Sequence, residues 1–243
     1  MKVVTVRDLK EIKLYDYGKY SWVKLIELDG VKYCYKQFRL MYDDETVISR
    51  LCDFTDINYP HYLLMPLYMV ETENLFSGYL TRYDVKLVDI DDPFTFDEQL
   101  RLIKSAKNHL NIFHNEFNLI HGDMHFSNIK CHRKKIESFL LDFDFSYPIG
   151  CCPNSLNDFG IPVKNYLNYY SFDKNIDIYY FNLATFLFLT KINATYDIVL
   201  SRINDNDYAL KNENNDVKRL VKELTLEDTR KPYSGEYIID YIV

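Results

Sequence analysis

Within Ile120-His121-Gly122-Asp123-Met124-His125-Phe126-Ser127-Asn128-Ile129, an aspartate and an asparagine stand five residues apart. Fourteen residues beyond Asn128, a short apolar run ends in Leu140-Leu141-Asp142-Phe143-Asp144. Transfer of a phosphoryl group from a nucleotide needs a carboxylate to orient the attacking hydroxyl. It also needs oxygen ligands for the magnesium that neutralises the phosphates. Asp123 suits the first task, Asn128 and Asp142 the second. A plain helix-to-strand turn also favours Gly, Asp and Asn. Such a turn does not account for an acid placed after a further strand, nor for Leu119-Ile120 leading in.

The elements that must position these groups are readable from periodicity and turn residues. Ile12 to Tyr17, Trp22 to Leu28 and Val31 to Phe38 read as three strands, with turns at Gly18 and at Asp29-Gly30, the latter a strong hairpin signal. Asp43-Asp44-Glu45-Thr46 opens a helix with carboxylates in its first turn and Val47, Ile48 and Leu51 at helical spacing. Leu63 to Val70 and Leu75 to Tyr83 follow as strands joined by the polar patch Glu71 to Asn74. Asp91-Asp92-Pro93 marks a boundary. From Phe96 to Phe117 apolar residues recur at three and four: Leu100, Ile103, Ala106, Leu110, Phe113. Short strands are expected around 129–130 and 138–141, and an apolar helix from Asp177 to Thr190. Residues 144–175 carry no clear period, 204–216 are loop-like and 217–224 form a short amphipathic helix.

At 243 residues with 47% hydrophobic and 27% charged content, the chain has the balance of an ordered protein with a real core. A net charge of −7 argues against a nonspecific nucleic-acid surface. No apolar run reaches membrane-span length, and the N-terminus shows no secretion signal, so a cytoplasmic location is expected. The five cysteines lack metal-ligand spacing and read as thiols in a reducing compartment.

The string from His121 to Asn128, followed by Asp142-Phe143-Asp144, resembles the catalytic loop and metal motif of the protein-kinase-like phosphotransferases. Its HGDxHxxN form is closest to aminoglycoside and choline kinases. The resemblance spans roughly residues 12 to 190. It implies an α+β, bilobal fold: residues 1–83 as a five-stranded antiparallel lobe with one helix, and 84–243 as a mainly helical, abbreviated lobe. It implies ATP and Mg2+ as cofactors. On this alignment Lys36 holds the nucleotide phosphates, and His125 takes the place of the protein-kinase catalytic-loop lysine, near the γ-phosphate. Glu45 is either the partner of Lys36, though only nine positions away, or a carboxylate stabilising the helix N-terminus. Gly18, Ser21 and Val23 lie in the phosphate-covering hairpin, where only the middle glycine of the family pattern is kept. Thr81, Arg82 and Tyr83 fall at the hinge that grips adenine. Asp144, where the family has glycine, either adds a carboxylate near magnesium or caps the next turn. Asp177 either anchors the catalytic-loop backbone or caps its own helix. His121 is expected to hold the loop by hydrogen bonding, and Ser127 to have no base beside it.

The activity implied is transfer of the ATP γ-phosphate to a Ser or Thr hydroxyl of a protein substrate. A small hydroxylated molecule such as an aminoglycoside or amino alcohol is the alternative acceptor. A pseudokinase that binds nucleotide or a partner without turnover is a further one, supported by the reduced glycine loop and Asp144. No nucleic-acid or membrane partner is expected.

Overall fold

Asp29 and Gly30 both take positive φ, 51° and 77°, which makes a two-residue turn whose twist matches that of the strands it joins. That turn pins β3 (Ser21–Leu28) against β4 (Val31–Phe38), with Val23 opposite Lys36 and Ser21 opposite Phe38. The computed structural model describes residues 2–17, 21–39, 45–90, 94–151, 173–190 and 234–242. The fold is α+β, with a mixed six-stranded sheet and three α-helices among the described residues. The chain forms two compact units. One comprises Met1–Leu87 with Leu141–Asp144, the other Val88–Leu140 with Phe145–Val243.

In the first unit the strands are β1 (Val3–Thr5), β2 (Lys10–Tyr17), β3, β4, β5 (Tyr68–Thr72) and β6 (Leu75–Arg82), in the order β1-β5-β6-β4-β3-β2. Five antiparallel strands are expected from the sequence, and the sheet differs by one. Val3–Thr5 adds a sixth strand, parallel to β5. Three residues are too few to show a period, but Val and Thr are β-branched and suit an edge. The backbone amide of Met69 donates to the Lys2 carbonyl at 2.8 Å to start the pairing. β5 also begins later than Leu63, because Pro66 has no amide to give a ladder. Glu73 and Asn74, at φ 52° and 65°, turn β5 into β6. Ile26, Leu28, Tyr35, Val70 and Leu80 form one apolar cluster on this sheet. Helix α1 (Glu45–Thr55) buries Val47, Leu51 and Phe54.

The second unit is organised on α2 (Phe96–Phe117). Thr95 and Glu98 form a reciprocal capping box, the Thr95 amide donating to the Glu98 carboxylate at 2.8 Å. Asn118, at φ 54°, ends the helix in the left-handed conformation. Leu100, Ile103, Ala106, Leu110 and Phe113 are all buried. β7 (Leu87–Asp89), β9 (Ile129–His132) and β10 (Glu137–Leu140) form a sheet in the order β10-β9-β7, and β8 (Leu119–Ile120) pairs with β11 (Tyr147–Pro148). The apolar α3 (Asn175–Thr190) holds the C-terminal segment through Asn182. Its amide nitrogen donates to the Glu236 carbonyl at 2.8 Å and its oxygen accepts from the Ile238 amide at 2.9 Å. The expectations for 204–216 and 217–224, and for most of 144–175, lie outside the described residues. No helix among the described residues is long and apolar enough to cross a membrane. Cys34, Cys52, Cys131 and Cys151 form no disulfide.

Gly78 sits on β6 opposite Gln37, and a Cβ there would run into the Lys36 carbonyl oxygen. Gly78→Ala therefore destabilises the first unit by about 2–3 kcal/mol, the cost of forcing a shift in a packed sheet. Urea unfolding reads this directly, and a loss below about 0.5 kcal/mol would show that the strands accommodate a side chain.

Candidate functional site

Alternation along β4 places Tyr35 in the apolar cluster, where its hydroxyl pairs with that of Ser77 at 2.9 Å, and turns Lys36 to the opposite face. On that face Lys36 Nζ donates to Asp142 Oδ1 and, at 2.6 Å, to Asp144 Oδ2. It also lies 5.9 Å from the Phe38 ring centroid. Asp142 has φ 70°, a left-handed backbone that is uncommon outside glycine. Such a conformation costs energy and persists where surrounding contacts fix it.

Asp144 is fixed from three directions within the same unit. Lys36 meets one carboxylate oxygen and the Tyr79 hydroxyl donates to the other, while Arg50 Nη2 donates to the Asp144 carbonyl at 2.5 Å. Burial opposes the charge on Lys36, but the carboxylates of Asp144 and Asp142 more than offset it and hold the ammonium above the ordinary lysine range. Burial lifts the Asp144 carboxyl above its ordinary value; Lys36 pulls it down, and the negative charge of Asp142 adds to the rise. Burial, then the charges of Asp144 and Asp142, push the Tyr79 phenol well up. Tyr79 therefore stays a donor.

Two carboxylates thus share one ammonium beside the Arg50 guanidinium, and every acceptor atom of the cluster is oxygen. That donor set fits a hard divalent cation. Magnesium beside a nucleotide is held by one or two carboxylates and the substrate phosphates rather than by an all-protein cage. Among the described residues, no group of three or more His, Cys, Asp or Glu side chains gathers as such a cage.

In the second unit the loop after β8 is held by one buried carboxylate. Asp177, in the first turn of α3 and 0% exposed, accepts the His121 amide at 2.5 Å and the Gly122 amide at 2.8 Å. It also meets His114 Nε2 at 2.8 Å. Of the two roles open to Asp177 in the sequence, its carboxylate is spent on anchoring the loop. Gly122 has φ 79°, and a Cβ there would meet the Phe145 carbonyl oxygen. His121 is fully buried; its Nδ1 accepts the Asp123 amide at 3.3 Å, the loop-holding role expected for it.

Asp123, His125 and Asn128 come together. Asn128 Nδ2 donates to the Asp123 carbonyl at 2.8 Å and to its carboxylate at 3.2 Å, and lies 3.1 Å from His125 Nε2. His125 Nε2 is 3.4 Å from Asp123 Oδ2. Burial would raise the Asp123 carboxyl, but the hydrogen bond and charge of His125, with His121 and Asn128, bring it below the ordinary range. Phe126 packs its ring against Phe181 and Phe188 of α3, at 6.3 and 5.0 Å between centroids. One expectation is corrected here. Ser127 does have a base beside it, because the 3-10 turn over Phe126–Asn128 brings its hydroxyl to His125 Nδ1.

The remaining expected residues are placed as follows. Val23 faces Lys36 in register, and Ser21 is buried at the start of β3. Thr81 and Arg82 end β6, opposite Cys34 and Tyr33. The Tyr83 hydroxyl pairs with that of Tyr15 at 3.0 Å, and this bond pushes the Tyr83 phenol up to about 12. Glu45 is the first residue of α1, its side chain outside the described residues, as is Gly18. Sequence reasoning missed Tyr79, Arg50 and His114. Tyr79 alone had a signal, since it stands opposite Lys36 once β4 and β6 are paired.

No family model matches the chain, and no curated protein matches it in sequence.

Removing the Asp177 carboxylate orphans two buried amides and His114. Asp177→Ala is expected to lower unfolding stability by about 3–5 kcal/mol, with a smaller loss for Asp177→Asn, whose amide oxygen still accepts. Chemical denaturation measures both. An alanine variant as stable as the parent would show that the loop does not depend on this anchor.

Proposed function

We propose that the protein is an ATP- and magnesium-dependent phosphotransferase with a bilobal, protein-kinase-like architecture. The observation that carries this reading is the ion pair of Lys36 with Asp142, residues 106 positions apart in the chain. A phosphate-holding lysine and a metal-holding acid need to meet in this way. The loop of Asp123, His125 and Asn128, held by Asp177, supports it independently.

In the reaction the acceptor oxygen attacks the γ-phosphorus, the bond from that phosphorus to the β–γ bridging oxygen breaks, and ADP leaves. Asp123 orients the acceptor hydroxyl and takes its proton. Its depressed carboxyl is ionised at neutral pH, as this role requires. Lys36 binds the α- and β-phosphates, and His125 lies on the γ-phosphate side. Asn128 spends its amide nitrogen on Asp123, so its carbonyl oxygen is the end suited to a cation. Asp142 of the first unit and Asn128 of the second are each suited to hold magnesium, which would supply charge neutralisation of the phosphates. Gly18, Ser21 and Val23 cover the phosphates, Glu45 belongs to the same nucleotide site, and Thr81 to Tyr83 grip adenine.

The acceptor we favour is a Ser or Thr hydroxyl of a protein, because residues 84–120 leave room for little more than a linker and α2, without a helical insertion for a small-molecule pocket. The HGDxHxxN form, with His125 in place of lysine, favours the second reading, a small hydroxylated acceptor.

Asp123→Ala is expected to lower phosphate transfer by a factor on the order of 10³ or more, with nucleotide affinity nearly unchanged. Turnover close to that of the parent would remove Asp123 from the reaction. Asp142→Ala is expected to weaken binding of magnesium-ATP on the order of tenfold or more by calorimetry; unchanged affinity would sink its metal role. Mass spectrometry of the protein and of acceptors after incubation with ATP distinguishes added phosphate from added AMP. Added AMP would replace phosphoryl with nucleotidyl transfer.

A further inference from the structure

Lys36 has two acidic partners, and they differ in how they are held. The Asp142 side chain is 27% exposed, that of Asp144 10%. Asp142 forms an ion pair with Lys36. Asp144 is also gripped by the Tyr79 hydroxyl on its other oxygen and by Arg50 on its carbonyl. Tyr79 stands directly across from Lys36 in the β4–β6 pairing, so lysine and tyrosine are set on one piece of sheet and receive Asp144 from the 3-10 turn Phe143–Phe145.

We infer that Asp144 is the positioning residue for Lys36. Anchored by Tyr79, it fixes the ammonium in place while Asp142 keeps its carboxylate for a cation. This inference rests on the phosphotransferase reading and deepens it. Only one of the two acids can serve both lysine and magnesium without loosening the lysine. The second acid of the Asp142-Phe143-Asp144 string removes that conflict, and a glycine at 144 would offer no side chain for the purpose. Asp144 touches neither the acceptor nor the reacting phosphorus in this scheme; it acts through Lys36.

The test combines a stability cycle with kinetics on the full chain. Melting temperatures are measured for the parent, Lys36→Met, Asp144→Asn, Asp142→Asn and the double variants that pair Lys36→Met with each. Lys36→Met and Asp144→Asn are expected to be non-additive by about 2–4 °C or more, and more so than Lys36→Met with Asp142→Asn. In transfer assays Asp144→Asn should lower kcat on the order of tenfold while changing the KM for ATP less. Tyr79→Phe removes only the hydroxyl that steadies Asp144, and should lower kcat on the order of threefold without unfolding the sheet. Additive melting effects, or kcat values within about twofold of an active parent, would overturn the inference and leave the phosphotransferase reading standing. A parent that neither binds magnesium-ATP nor transfers phosphate would overturn both. A coupled pair in that protein would then be structural only.

Discussion

One ammonium bound by two carboxylates is the interaction around which the first unit is arranged. Bringing Lys36, Asp142 and Asp144 together from positions more than 100 residues apart in sequence costs chain entropy and desolvation. The buried Asp144 carboxylate would not be tolerated there without a cation. The sheet provides the lysine by simple alternation: Tyr35 goes to the apolar cluster and Lys36 to the other face. It provides Tyr79 by register. Arg50, from α1, then ties down the backbone of the acidic segment. Each group therefore depends on a different element, and the cluster exists only when strand, helix and returning segment are all formed.

The balance of charge has a chemical consequence. A lysine with one carboxylate is neutral as a pair and has little reason to attract a further ion. With two carboxylates the lysine alone does not balance the charge, the Arg50 guanidinium on the Asp144 carbonyl supplies the second positive group, and burial disfavours the ionised form of Asp144. The left-handed backbone of Asp142 belongs to the same economy, since a conformation costing on the order of 1–3 kcal/mol is retained at a site where the side chain must point one way.

Local chemistry was largely legible in the sequence. Asp29-Gly30 announced its turn, the period from Leu100 to Phe113 gave α2 its buried face, and the spacing of Asp123, His125 and Asn128 marked residues that do meet. Asp177 was readable as a loop anchor only through the family resemblance, since an acid early in a helix serves equally well as a cap. What remained hidden were choices of long-range partner. Periodicity says which face a residue occupies, not what will lie across from it, so Arg50 on the Asp144 carbonyl and Tyr79 on its carboxylate had no local trace. β1 was hidden for another reason: three residues carry too little pattern, and their strand character comes from the edge of β5. Ser127 beside His125 was missed because the contact depends on His125 entering the 3-10 turn as its extended N-cap, a local geometry that no periodicity announces.

The loop of the second unit illustrates how a partly exposed carboxylate can be held in place by its neighbours. The Asp123 side chain is 38% exposed, so burial alone does not fix it. The rigidity is supplied one and two residues earlier. Gly122, in a conformation that a side chain would obstruct, lets the amides of His121 and Gly122 point at the same carboxylate of α3. Two amides on one buried anion are stronger than two neutral bonds, and the anion is itself backed by His114. Asp123 then inherits a fixed backbone, and its side chain is steered by His125 and Asn128 rather than by packing. Asp123 is thereby positioned through hydrogen bonds that favour its charged form, and the depressed carboxyl is the electrostatic signature of that arrangement.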